Sequence, residues 1–272
     1  MPNGQTGFLY TPLSVGLNSK AYWSTAPSGE VLVFVHGFAG EARSTWQEFP
    51  SLIMQDSRCQ GVDLVFFGYQ STKVRANLSA AVLYNFLNDF YSCPSEIINE
   101  TVLRTGQRSP NFALKKITLV GHSLGAALCR QVAVDAQRQR APWAPRIQLI
   151  LFAPAHLGAD VIQLVSSTLS TGRLGAAIAS YAKFKYPVLR DLEPNSRFLR
   201  SLLRETQKFL KQHKYPHLVA RLVAFGDQEN VVDTNTFADD PVPQVYKGKG
   251  HFDVCKPSTR FLEPIADVTN NL

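Results

Sequence analysis

The sequence predicts an α/β fold: a mainly parallel central sheet with helices on both faces. Three observations carry this expectation. Largely apolar runs recur at Val31–Val35, Asp63–Phe67, Ile117–Val120 and Ile147–Phe152, as in strands buried on both faces. Stretches with helical spacing of apolar residues separate them, and strand–helix alternation favours parallel pairing. The third run leads into Gly121-His-Ser-Leu-Gly125 and then Ala126-Ala-Leu128, which reads as a strand, a tight elbow and a helix.

In chain order, Val31–Val35 opens the set and ends in His36-Gly-Phe-Ala-Gly40. Residues 45–55 then read as a helix with Trp46, Phe49, Leu52 and Ile53 inward. Asp63–Phe67 is closed by Gly68-Tyr-Gln-Ser71, and a helix is predicted over residues 74–91 from the spacing of Leu78, Val82, Leu83, Phe86 and Leu87. The elbow helix runs to about Arg140, and strands follow at 147–152, 218–225 and 243–247. A chain of 272 residues suffices for a single domain, 1–272, with an ample core. Residues 156–216 are too long for a plain connection and are expected to form a helical cap or lid within that domain, with short helices at 161–169 and 174–184 arched over the elbow.

Composition narrows the class. With 45% hydrophobic and 18% charged residues the chain is globular rather than disordered. The first thirty residues lack a basic start followed by an apolar stretch, so no signal peptide is expected. No apolar run approaches the ~18 residues that span a bilayer. Cys59, Cys93, Cys129 and Cys255 have neither C-x-x-C nor metal-ligand spacing and read as reduced thiols, so a cytoplasmic location is expected. The net charge of +7 favours anionic partners, but no nucleic-acid motif accompanies it and the basic residues are dispersed, so no nucleic acid is expected. One local concentration stands out. Arg197, Arg200, Arg204, Lys208 and Lys211 form a stripe at helical spacing, with Phe198, Leu202 and Phe209 elsewhere around the helix. It suits either a solvated outer face or weak association with an anionic membrane surface.

The elbow carries the chemistry. A serine hydroxyl is a poor nucleophile until a base takes its proton and its Oγ stands clear of the backbone. A sharp turn at Ser123 achieves the second condition at the expense of a strained backbone. Gly121 and Gly125 lack Cβ atoms, so strand and helix can approach closely. Leu124 falls in the first helical turn, where its N–H is free to face a developing oxyanion. Gly-x-Ser-x-Gly alone is a weak signal; the strand before it and the helix after it sharpen it.

Two further segments line up with the elbow. The loop opened by His36-Gly37 can supply a second backbone donor, the N–H of Phe38, with His36 itself bracing the loop. His251, in Lys249-Gly-His-Phe-Asp253 after the last strand, is the best-placed base. His122 lies inside the elbow, and His156, His213 and His217 fall in or beside the insertion. The acid that orients the base should follow the strand ending at Phe225. There Asp227, Glu229 and Asp233 compete, and spacing alone does not choose.

Together, His36-Gly-Phe-Ala-Gly40, Gly121-His-Ser-Leu-Gly125 and the late His251 resemble the α/β-hydrolase superfamily, within it the lipase-like serine hydrolases and the lipid-acting branch that includes inositol deacylases. Thr45-Trp46, Gly68-Tyr69, Asp191-Leu-Glu-Pro-Asn-Ser-Arg-Phe-Leu199 and His251-Phe-Asp-Val-Cys-Lys-Pro257 extend the resemblance, which runs from Val31 to the C-terminus. It implies an α/β-hydrolase fold and an acid three residues after a glycine, just before x-Val-Val. That position is Glu229, where the family more often has Asp, which leaves Asp227 as the alternative acid. The resemblance further implies Ser123, His251 and Glu229 as catalytic, Phe38 and Leu124 as oxyanion donors, and a small-molecule or lipid ester as substrate, with neither cofactor nor metal. A thioesterase, amidase or acyltransferase could use the same residues, and a hydrolase-fold module that only binds a partner or membrane is the rival from another class.

Overall fold

The computed structural model describes residues 7–168, 176–212 and 215–272. Eight strands form one sheet: β1 (Phe8–Pro12), β2 (Lys20–Ser24), β3 (Glu30–Val35), β4 (Val62–Phe67), β5 (Lys116–His122), β6 (Ile147–Phe152), β7 (Leu222–Gly226) and β8 (Gln244–Tyr246). Their spatial order is β1-β2-β4-β3-β5-β6-β7-β8. From β4 to β8 every pairing is parallel. The predicted mainly parallel sheet is therefore present.

The central strands are apolar because both of their faces are covered. Phe34 of β3 lies beside Phe66 of β4, with the rings stacked at 4.5 Å. Trp46 and Phe49 meet Phe34 edge-on, each at 5.1 Å. Fully burying side chains of this size contributes roughly 1.5–3 kcal/mol each, which anchors the segment after β3 on the sheet. That segment is not the single helix expected over residues 45–55. A 3₁₀ turn, Ser44–Trp46, and a short helix, α1 (Phe49–Ile53), are separated at Gln47, whose φ is +47°. The cause is Pro50, which is tolerated in a first helical turn but not in a helix interior. Trp46, Phe49 and Ile53 are buried as expected, while Leu52 is only partly so.

Helices α2 (Ala76–Ser92), α3 (Pro94–Asn99) and α4 (Leu124–Arg138) follow. On α2, Leu83, Phe86 and Leu87 face inward as predicted, whereas Leu78 and Val82 are exposed. Ser79, Ala80 and Phe90 complete the buried face instead, the two small residues letting the helix lie close to its neighbours. The strand expected from residue 218 starts at Leu222. Pro216 opens a 3₁₀ turn that ends at Leu218, and Ala220 N–H donates to Asp240 Oδ1 at 2.9 Å rather than to a strand. The pair β1–β2 is a feature the sequence reading did not assign. It adds an antiparallel edge, joined to the sheet through β2 and β4.

Between β6 and β7 lie α5 (Val161–Thr168), α6 (Ala176–Lys185), α7 (Leu189–Leu192) and α8 (Arg197–Gln212), and α9 (Glu263–Asn270) closes the chain. The helices expected at 161–169 and 174–184 correspond to α5 and α6; Leu169 and Leu174 lie outside the described residues. Asp191 of α7 seats this layer on the body. Its carboxylate accepts Ala76 N–H at 2.9 Å, capping α2, and pairs with Arg75. Among the described residues no helix is long and apolar enough to cross a membrane.

Candidate active site

Ser123 stands between β5 and α4 with φ +55° and ψ −120°, a region that residues with a Cβ rarely occupy. The turn closes because its flanking positions are glycines. A Cβ on Gly125 would stand 2.1 Å from the Val35 carbonyl oxygen, and one on Gly121 would stand 2.5 Å from Ala126 Cα. Ser123 N–H is held by the Phe152 carbonyl at 3.0 Å, so β6 fixes the elbow from the side.

His251 brings its ring to this point from the loop after β8. Its Nε2 lies 3.0 Å from Ser123 Oγ, and its Nδ1 lies 3.0 and 3.1 Å from the two carboxylate oxygens of Glu229. A carboxylate only accepts, so Nδ1 carries the proton and Nε2 presents a lone pair to the serine hydroxyl. Both side chains are almost fully buried, 1% and 2% exposed. Burial opposes the charge on Glu229. The hydrogen bond from His251, its charge once the ring is protonated, and the N–H groups of Val231 (2.8 Å) and Val232 (3.1 Å) outweigh it and hold the carboxyl below its ordinary range.

The three acidic candidates therefore have distinct places. Asp227 is exposed and accepts Gly248 N–H at 2.7 Å, and exposed Asp233 accepts Asn235 N–H at 2.9 Å; both are turn formers. Glu229 alone of the three meets His251. The loop that carries Glu229 is held at its far end, where Asp160 N–H donates to the Val231 carbonyl at 2.7 Å and Ala159 bridges Val232.

The loop after β3 forms the facing wall. Gly40 N–H donates to the Gly37 carbonyl at 3.1 Å, with Ala39 at φ +52°, a tight turn that leaves the N–H of Phe38 without a bond among the described residues. The N–H of Leu124, first in α4, is likewise untaken. His36 braces this loop as expected. Its Nδ1 donates to the Gly37 carbonyl at 2.9 Å, its ring stacks on Tyr69 at 4.5 Å, and Tyr69 Oη donates to the His36 carbonyl at 2.7 Å. Burial pushes His36 down to about 4, so it stays neutral.

A cleft of about 560 Å³ opens over Ser123. Phe38, Leu164 of α5 and Phe252 are apolar parts of its lining, while Glu41, Gln47 and Lys256 are polar parts. Phe38 also meets Tyr186, between α6 and α7, edge-on at 5.8 Å. Helix α8 instead packs on α4 and α7, with its five basic residues exposed. His156 and His217 are buried away from the cleft lining, and His213 lies outside the described residues. Among the described residues no group of three His, Cys, Asp or Glu side chains is placed to hold a metal ion.

One residue of the site escaped the sequence reading in its role. His122 is buried within the elbow, and its Nε2–H donates to the backbone carbonyl of His251 at 2.9 Å. The elbow is thus tied directly to the loop of the second histidine. Nothing in the sequence pairs positions 122 and 251; only the fold does.

Residues 32–262 match the family model of the alpha/beta hydrolase family. The chain belongs to that family. As an alpha/beta hydrolase it resembles a Bacillus licheniformis lipase in its mature form, with a TM-score of 0.56 and 15% identity over 96% of each chain. An esterase from Pyrococcus furiosus is similar at TM-score 0.58 and 13% identity, over 97% of this chain and 91% of that one. Esterase B from Lactobacillus rhamnosis, inhibited by a tributyrin phosphonate, gives 0.55 and 12%, over 97% and 85%. At these identities the likeness is one of fold. Comparison with curated proteins gives no match.

Proposed function

We propose that this alpha/beta hydrolase is a serine esterase that cleaves carboxylic esters, preferentially those of hydrophobic acyl chains. The observation that carries the reading is the buried hydrogen-bonded chain from Ser123 Oγ through His251 to Glu229, opening on a cleft. Ser123 Oγ attacks the ester carbonyl carbon as His251 Nε2 takes the hydroxyl proton. Glu229 keeps the ring in the required tautomer and stabilises the imidazolium. The N–H groups of Phe38 and Leu124 bond to the oxyanion of the tetrahedral intermediate, where loss of one such donor typically costs about 2.7–4 kcal/mol. Collapse expels the alcohol, which takes the proton from His251 and leaves an acyl-Ser123. Water, deprotonated by the same ring, then releases the acid and restores the serine.

Phe38, Leu164 and Phe252 support an apolar acyl group. The proteins of similar fold, a lipase and two esterases, agree with ester chemistry. The free state of all four cysteines supports a reducing compartment, and a cytoplasmic location is part of the proposal. The exposed stripe on α8 favours a second, non-catalytic property, weak association with an anionic membrane surface. The test is hydrolysis of p-nitrophenyl esters from acetate to palmitate by wild type and Ser123→Ala. Turnover in wild type that is lost in the folded variant, with an optimum beyond acetate, is expected. Full activity in folded Ser123→Ala would overturn the reading.

A further inference from the structure

Lys256 lies five residues after His251, in a coil whose geometry leaves it little freedom. Val254 N–H donates to the Gly250 carbonyl at 3.2 Å, and Lys256 N–H to the Asp253 carbonyl at 3.0 Å. Val254, Cys255 and Pro257 are buried around it, so the backbone that carries the lysine is anchored in the core. Its side chain is 24% exposed and lines the same cleft as Ser123. The electrostatic influence of Lys256 also reaches the buried His122 ring beside the nucleophile.

This ammonium has weak protein compensation among the described residues. The nearest carboxylate is Asp253, 4.0 Å away and itself 65% exposed, a pair that solvent screens. Glu41, the other charge on the cleft wall, accepts from the Ser44 hydroxyl at 2.7 Å, and among the described residues Lys256 forms its ion pair with Asp253 rather than with Glu41. A largely enclosed cation whose partner faces solvent favours an anion brought in by a ligand. The cleft lining is mixed in polarity. An acyl chain suits Phe38 and Leu164, which leaves Ser44, Thr45, Gln47 and Lys256 to the alcohol portion.

We propose that Lys256 is a specificity-determining residue that binds an anionic group, phosphate or carboxylate, on the alcohol portion of the ester. This assignment rests on the esterase reading above. The ammonium sits on the loop of the base, so an anion held by it also fixes the ester relative to His251.

Binding to the Ser123→Ala chain decides the assignment without turnover. Calorimetry would compare 1-hexanoylglycerol with 1-hexanoylglycerol 3-phosphate and with the hexanoyl ester of glyceric acid. At least one anionic ester should bind tenfold or more tightly than the neutral one, and the two arms tell phosphate from carboxylate. The preference should collapse in Ser123→Ala/Lys256→Met and persist in Ser123→Ala/Lys256→Arg. Equal affinity for all three esters in Ser123→Ala, or a preference that survives Lys256→Met, overturns it. Wild-type turnover of the same esters tests the parent reading separately: its absence defeats the esterase, and the binding comparison still stands.

Discussion

The ring of His122 donates from Nε2 to the backbone carbonyl of His251 at 2.9 Å, so the residue before Ser123 holds the loop of the histidine that meets Ser123. A carbonyl only accepts, which fixes the His122 tautomer. Burial pushes His122 down to about 3, so the ring stays neutral at any working pH. In the esterase we propose, His122 acts as a positioning residue. A buried hydrogen bond of this kind is worth about 1–3 kcal/mol when one partner is removed.

Replacing His122 with Leu should therefore lower kcat by roughly tenfold to a hundredfold with little change in KM. His122→Gln, which still carries an N–H donor, should recover a good part of it. Equal losses in both variants, or a change confined to KM, would mean that the ring merely fills space.

Glu229 and Asp227 should separate sharply. Glu229→Gln keeps the shape but no longer favours the correct tautomer, and a loss of about 10³–10⁴ in kcat is expected. Asp227→Asn should leave kcat and KM within about twofold, because Asp227 serves a turn on the exposed side of the loop. If Asp227→Asn proved the damaging change, the acid would have to be reassigned.

Stability should fall with acid through the buried histidines. Burial pushes His36 and His217 down to about 4 and His122 to about 3, and holds His156 well below its ordinary value. The unfolded chain takes up protons near pH 6.5 while the folded one does not, so stability is full above about pH 7 and falls as pH drops through 6.5. By pH 5 His36 and His122 each contribute a loss on the order of 2 kcal/mol. Thermal unfolding at pH 7.5 and pH 5 reads this, and His217→Gln should show a smaller fall than wild type. An undiminished fall in that variant would assign the acid sensitivity elsewhere.

Charge reversal at Arg200, Arg204 and Lys208 tests the outer face of α8. Vesicles containing anionic lipid should retain less of the triple Glu variant than of wild type, most clearly at low salt. Hydrolysis of small soluble esters should be unchanged, since these residues lie outside the cleft lining. Equal retention of both proteins would leave the stripe as a solvated surface.

Much of this fold was legible because its strands are buried on both faces, as at Val31–Val35 and Ile147–Phe152, and so read as largely apolar runs. The elbow was legible because close approach demands Gly121 and Gly125. Where local signals compete, the reading blurred. Pro50 splits the segment after β3, and Leu78 and Val82 share the spacing of α2 without sharing its buried face. Short β1 and β2 gain their place from pairing at an edge rather than from apolar runs. The choice among Asp227, Glu229 and Asp233 needed the loop's path, and the bond from His122 to His251 joins positions that the chain keeps 129 residues apart.

Labelling with a fluorophosphonate, with the adduct mapped by mass spectrometry, reads whether Ser123 is a nucleophile activated by His251. A single adduct on Ser123, absent from Ser123→Ala and formed far more slowly in His251→Ala, is the predicted result. A folded wild-type protein that takes no label, or takes it at another residue, would contradict the account.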